Sequence, residues 1–74
     1  LTHQIAQDEA DLAQVEARLA KLEDRYAMSS EDFWDKYQAG RLPDEADYVE
    51  WNAFCKMQQR LQQRLTILRG DVPS

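Results

Sequence analysis

Few side chains in this 74-residue chain have the type and spacing to do chemistry. The single histidine, His3, sits at a chain end expected to fray, and the single cysteine, Cys55, is far from it in sequence. That separation removes Ser-His and Cys-His nucleophile arrangements and makes poor zinc material. Asp44, Asp47 and Glu50 recur every three residues on an expected helix, where three carboxylates can in principle touch one cation. Acids at the start of a helix more commonly complement its dipole, so a solvated face is the preferred reading. No glycine-rich phosphate loop occurs. Cys55, beside Phe54 on an apolar stripe, reads as a small buried hydrophobe rather than a reactive thiol. The expectation is no enzyme, no cofactor and no metal.

Two other groups of residues are better suited to binding. Residues 28–54 hold every aromatic residue except Tyr26 and most of the acidic excess. Phe33, Tyr37, Trp51 and Phe54 are expected to form a small core, whereas Trp34 and Tyr48, among Asp32, Asp35, Asp47 and Glu50, resemble interface anchors ringed by acids. Such a surface suits a basic protein. The second group, Lys56, Arg60 and Arg64 at four-residue steps with Arg69 after them, can contact phosphate. More often such a stripe is a solvated flank that pairs with acids on a neighbouring helix, such as Glu16 and Glu23, so nucleic acid is a secondary possibility.

Charge supports that ordering. The net charge is -5, but residues 1–50 carry thirteen acids against five bases and residues 51–74 carry one acid against four. An acidic body repels a phosphate backbone and attracts a basic partner. No apolar run reaches the roughly 18 residues that span a bilayer, and no signal-peptide pattern opens the chain. A lone cysteine fits a reducing cytoplasm. The chain opens at Leu1 rather than Met, so a longer natural protein is expected.

The elements that must position these residues are helices in one domain spanning residues 1–74. From Ile5 to Tyr26 a heptad seam places Ile5, Leu12, Leu19 and Tyr26 at one core position and Val15 and Leu22 at the other. Asp8 interrupts it, and since a buried Asp is costly, the first turn or two are expected beyond the packed region. Ser29 is an N-cap candidate for a short helix, with Glu31 and Asp32 on its dipole and Met28 stapled to Phe33. Gly40 is placed to stop that helix and Pro43 to introduce the next. After it Asp44, Glu45 and Asp47 load a first turn, and Tyr48, Trp51, Phe54, Cys55, Met57, Leu61, Leu65 and Leu68 form one stripe, closed by Gly70 and Pro73. The expected helices cover about 3–28, 30–39 and 44–69. Two long helices of about 26 residues, or about 39 Å, imply an all-α antiparallel hairpin with the short helix in its connection. One hairpin leaves apolar surface over. A homodimeric four-helix bundle or a heterologous complex is expected to cover it, with Leu12, Val15, Leu19, Leu22, Leu61, Leu65 and Leu68 as the oligomer seam.

The segments LEDRYAMSSEDF, YQAGRLPDEADYVEW and NAFCKMQQRLQQRL together resemble a family of short prokaryotic antitoxins, the TumA-like type encoded beside a TumE-like toxin. The resemblance runs from Leu19 to about Leu68, and its most specific parts are MSSEDF at 28–33, QAG at 38–40 and DYVEW at 47–51. Asp47, Tyr48, Glu50 and Trp51 match the family's acid, aromatic and Glu-Trp pattern; Pro43 departs from its usual small residue. The resemblance implies a cytoplasmic protein that neutralises a basic toxin by complex formation, with Trp34, Asp47, Tyr48, Glu50 and Trp51 nearest the toxin. The alternative from another class is a self-associating coiled-coil adapter without a toxin partner.

Overall fold

The computed structural model describes residues 2–68 and residue 70, with side chains from residue 4 onward. Those residues form three helices, α1 (Thr2–Tyr26), α2 (Ser30–Gln38) and α3 (Ala46–Leu68), with no strand among them. The expected ends therefore hold to within two residues, and the expected extension to Arg69 and the stop at Pro73 lie outside the described residues. The long axis of 41 Å is one helix length, because α1 and α3 lie side by side and antiparallel.

Local chemistry accounts for each break. Ser29 is the N-cap of α2, in extended backbone, and its Oγ accepts the Asp32 N–H at 3.1 Å. Met28 is half-buried against the core cluster that contains Phe33, as a staple requires. The far end of α2 is a Schellman turn: the Arg41 N–H reaches the Lys36 carbonyl at 2.9 Å, the Gly40 N–H reaches Tyr37 at 3.1 Å, and Gly40 sits at φ +71. Helix α3 begins two residues later than expected. The Glu45 carbonyl accepts the N–H groups of Tyr48 and Val49, so Glu45 is its N-cap, and Asp44 and Glu45 precede the first turn.

Helix α1 ends on a residue ill suited to the task. The Met28 N–H returns to the Glu23 carbonyl at 3.2 Å, which forces Ala27 to φ +51, a left-handed position that an L side chain resists. Ala27→Gly is expected to stabilise the fold by about 0.5–1 kcal/mol, raising the midpoint of a circular-dichroism melt by several degrees.

The core forms where the helices meet. Val15, Leu19, Phe33, Tyr48, Trp51, Cys55 and Leu61 make one buried cluster, ringed by half-buried Leu12, Leu22, Tyr26, Tyr37, Leu42 and Phe54. Phe33 of α2 stacks flat on Trp51 of α3, with ring centroids 4.1 Å apart and planes within 3°, and Tyr48 tilts against both. Four of the seven expected seam residues, Val15, Leu19, Leu61 and Leu65, are consumed inside this single hairpin. Leu12, Leu22 and Leu68 are half-buried. The tethered helix therefore covers much of the expected seam itself, while Val15 and Leu61 also border a groove between α1 and α3.

Asp8 is the larger correction. It is 1% exposed, at the heptad position shared with Val15 and Leu22, so packing continues to the first turns of α1. Burial is tolerated because Gln4 Nε2 donates to Oδ1 at 2.9 Å and the Arg64 guanidinium reaches across from α3, with Nε 3.4 Å from Oδ2.

Candidate functional site

The five residues expected to face a partner do not form one surface. Trp51 is fully buried, its ring against Phe33 and its Nε1 donating to Ser30 Oγ at 3.0 Å. Tyr48 is 8% exposed. Both are core residues, which corrects their assignment as contacts: the acid-flanked pattern is the same for inward and outward rings, and only the docking of α2 decides between them. Phe54, expected inside, is half-buried and lines a groove instead.

Asp47 is engaged by its own chain. Tyr26 Oη donates to Oδ2 at 2.6 Å and Arg25 Nη1 donates to the same atom at 2.9 Å, tying the end of α1 to the start of α3. The Tyr26 bond and the Arg25 charge hold the Asp47 carboxyl below the usual carboxylate range, while the same bond pushes the Tyr26 phenol up to about 12. Each group is thus kept in the protonation state the bond needs. For Tyr26 the contribution is complete below about pH 10, its unfolded value, and is lost as pH rises toward 12. For Asp47 it is present above about pH 4 and is lost as pH falls through the lowered folded value. Urea midpoints read across pH are expected to show a plateau with losses on both sides, and Tyr26→Phe is expected to reduce the alkaline loss, leaving the part that comes from the buried Cys55 thiol.

Glu50 is outward and Trp34 keeps part of its ring open. Glu50 is exposed beside the groove between α1 and α3. Trp34 is half-buried on the side of α2 and lines a notch of about 240 Å³ between α2 and α3, with exposed Glu31 and Asp35 at its rim and Gln58 and Gln59 at its far wall. Cys55 borders the notch from below; it is 4% exposed, and burial, with the nearby Glu23 carboxylate, pushes its thiol up. A protonated, enclosed thiol matches the small hydrophobe expected there.

The acids of α1 have other duties than those expected. Glu23 Oε2 accepts the Ser30 N–H at 2.8 Å and so helps cap α2, and Glu16 Oε2 accepts from Gln58 Nε2 at 3.3 Å. Of the basic stripe, Arg64 pairs with Asp8, whereas Lys56 and Arg60 are exposed and make no ion pair among the described residues. The expected pairing of the stripe with Glu16 and Glu23 is therefore corrected, because polar and capping partners lie closer to those carboxylates. Arg69 and the His3 side chain lie outside the described residues. Among the described residues no three His, Cys, Asp or Glu side chains are grouped to hold a metal ion, and no helix is long and apolar enough to cross a membrane. In comparisons with known families, curated proteins and solved structures, the chain matches none.

Proposed function

We propose that this chain is a non-catalytic protein-binding module, an antitoxin of the TumA-like kind that neutralises a basic toxin in the cytoplasm by docking onto it. The observation that carries the proposal is the acid-rimmed notch at Trp34. A half-buried indole with one edge open beside Glu31 and Asp35 is a combination that can anchor a complex with a cationic surface, the ring supplying area and the acids supplying steering. Of the residues first expected at the interface, Trp34 and Glu50 keep exposed surface, Asp47 keeps some, and Tyr48 and Trp51 act by holding α2 in place.

Co-expression with the TumE-like toxin tests the proposal. Trp34→Ala is expected to abolish growth rescue and weaken binding by about 100-fold, within the range of an interface anchor, with helix content unchanged. Undiminished rescue by that variant excludes the notch as the site.

A self-associating helical module is the second reading, in which the hairpin pairs into a four-helix bundle. It is favoured by one specific observation, the groove left open along α1 and α3 on the side away from α2.

A further inference from the structure

The groove between α1 and α3 carries enough detail to name its occupant. It encloses about 620 Å³, and Val15, Phe54, Met57 and Leu61 give it an apolar floor. Met57 lies open at 42% exposure, and Phe54 beside it is half-buried. A floor of this kind in a two-helix hairpin is the half of a bundle core that lacks its other half. The rim is charged with both signs, Asp11 and Arg18 on the α1 side and Glu50, Arg60 and Arg64 on the α3 side.

The order of those charges is self-complementary. Along α1 the acid Asp11 and the base Arg18 lie seven residues apart, about 10 Å, on one stripe, and the point midway between them is the Gln14–Val15 step. Along α3 the acid Glu50 and the base Arg64 have Met57 midway between them. The Glu16–Gln58 hydrogen bond sets these two midpoints at neighbouring levels of the hairpin. One two-fold axis crossing the groove at that level therefore superposes acid on base along both rims.

We infer that the groove is filled by a second copy of this chain, related by a two-fold axis perpendicular to the helices and passing near Val15 and Met57. In that arrangement Asp11 faces Arg18 of the second copy, Glu50 faces Arg64 and Arg60 of the second copy, and the Phe54 and Met57 side chains of both copies close one apolar core. An isologous interface repeats every contact, so each complementary pair occurs twice. The mixed rim also disfavours a uniformly basic or uniformly acidic partner in this groove, since either sign meets like charge along it. The inference rests on the self-association named above and fixes its face and orientation. It is separate from the Trp34 notch, with which the groove shares no lining residue.

Sedimentation equilibrium of the full chain tests it. The wild-type chain is expected to be a reversible dimer. Asp11→Arg and Arg18→Asp each place two like-charge contacts in the interface and are expected to raise the dissociation constant at least about tenfold, while the double variant returns it to within about threefold of wild type. Met57→Glu, at a position exposed in the single hairpin, is expected to leave helix content unchanged by circular dichroism and to give monomer. A wild-type dimer indifferent to all four variants overturns the face but leaves self-association standing. Rescue of Asp11→Arg by Arg60→Asp in place of Arg18→Asp overturns the crosswise orientation. A wild-type monomer at all concentrations up to about 100 µM overturns both, and leaves binding at the Trp34 notch untouched.

Discussion

Trp51→Ala is expected to unfold the chain at room temperature. The indole is fully buried, stacks on Phe33 at 4.1 Å, contacts the rings of Tyr26 and Tyr48, and donates to Ser30. Truncating a large aromatic in a packed core costs about 3–5 kcal/mol. A domain of this size rarely holds more than about 3–5 kcal/mol of net stability, so the loss consumes the whole margin. The effect is also not local. Phe33 is the only fully buried side chain of α2, and without the Trp51 ring beneath it the short helix loses its main contact with α3. Far-UV circular dichroism is expected to show most of the helix signal gone, and a cooperative melt near the wild-type midpoint would refute this account of the core. Trp34→Ala, by contrast, removes a half-buried ring at the edge of the core and is expected to cost less and leave the fold cooperative.

The second large effect concerns Asp8 and Arg64, for which opposite signs are expected. The Asp8 carboxylate is 1% exposed, with one firm hydrogen bond from Gln4 and an Arg64 Nε that stands 3.4 Å from Oδ2, where no hydrogen bond forms. Removing Arg64 leaves a buried charge with less compensation, and Arg64→Ala is expected to lower stability by about 1–3 kcal/mol, toward the low end because its side chain is 49% exposed. Replacing the charge itself by an apolar side chain ends the desolvation cost. Asp8→Leu is expected to raise stability by about 1–3 kcal/mol, because the Arg64 guanidinium it leaves behind is half-exposed and stays solvated. Urea midpoints of the two variants, measured at one pH, should fall on opposite sides of wild type. If both variants are destabilised by similar amounts, the pair is worth more than its burial costs.

Much of the fold is legible in the sequence because its punctuation is local. Ser29 before two acids and Gly40 after a nine-residue helix constrain only their own neighbours and sit where their chemistry requires, whereas Pro43 stays in the connection, two residues before the Glu45 cap. The heptad steps in α1 and the stripe in α3 name the faces that meet. What escapes such reading is whatever depends on a partner distant in sequence. A carboxylate at position 8 looks like an interruption until α3 brings a guanidinium alongside it. Glu23 looks like a charged flank until the turn at Ala27 swings the Ser30 N–H onto it. Trp34 and Trp51 have the same company of acids in the sequence, yet one lies half-buried at the edge of the core and the other is enclosed, because α2 docks through Phe33 and Tyr37. For α2 the staple of Met28 on Phe33 already places Phe33 and Tyr37 inward and Trp34 at the edge; it is Tyr48 whose acid-flanked pattern misleads. The wedge formed by Asp47, Tyr26 and Arg25 offered no comparable signal.

The two tryptophans allow the central claim to be measured directly, because one belongs to the core and the other to the proposed contact surface. Single-tryptophan variants, Trp51→Phe reporting on Trp34 and Trp34→Phe reporting on Trp51, can be followed by quenching with neutral acrylamide, which the acidic rim does not repel, with and without the TumE-like toxin. The expected result is that Trp34 emission is quenched in the free chain and becomes protected on binding, while Trp51 is protected throughout and unchanged. Protection gained by Trp51 with none gained by Trp34 would contradict the claim, because the ring that meets the toxin would then be the one enclosed in the hairpin.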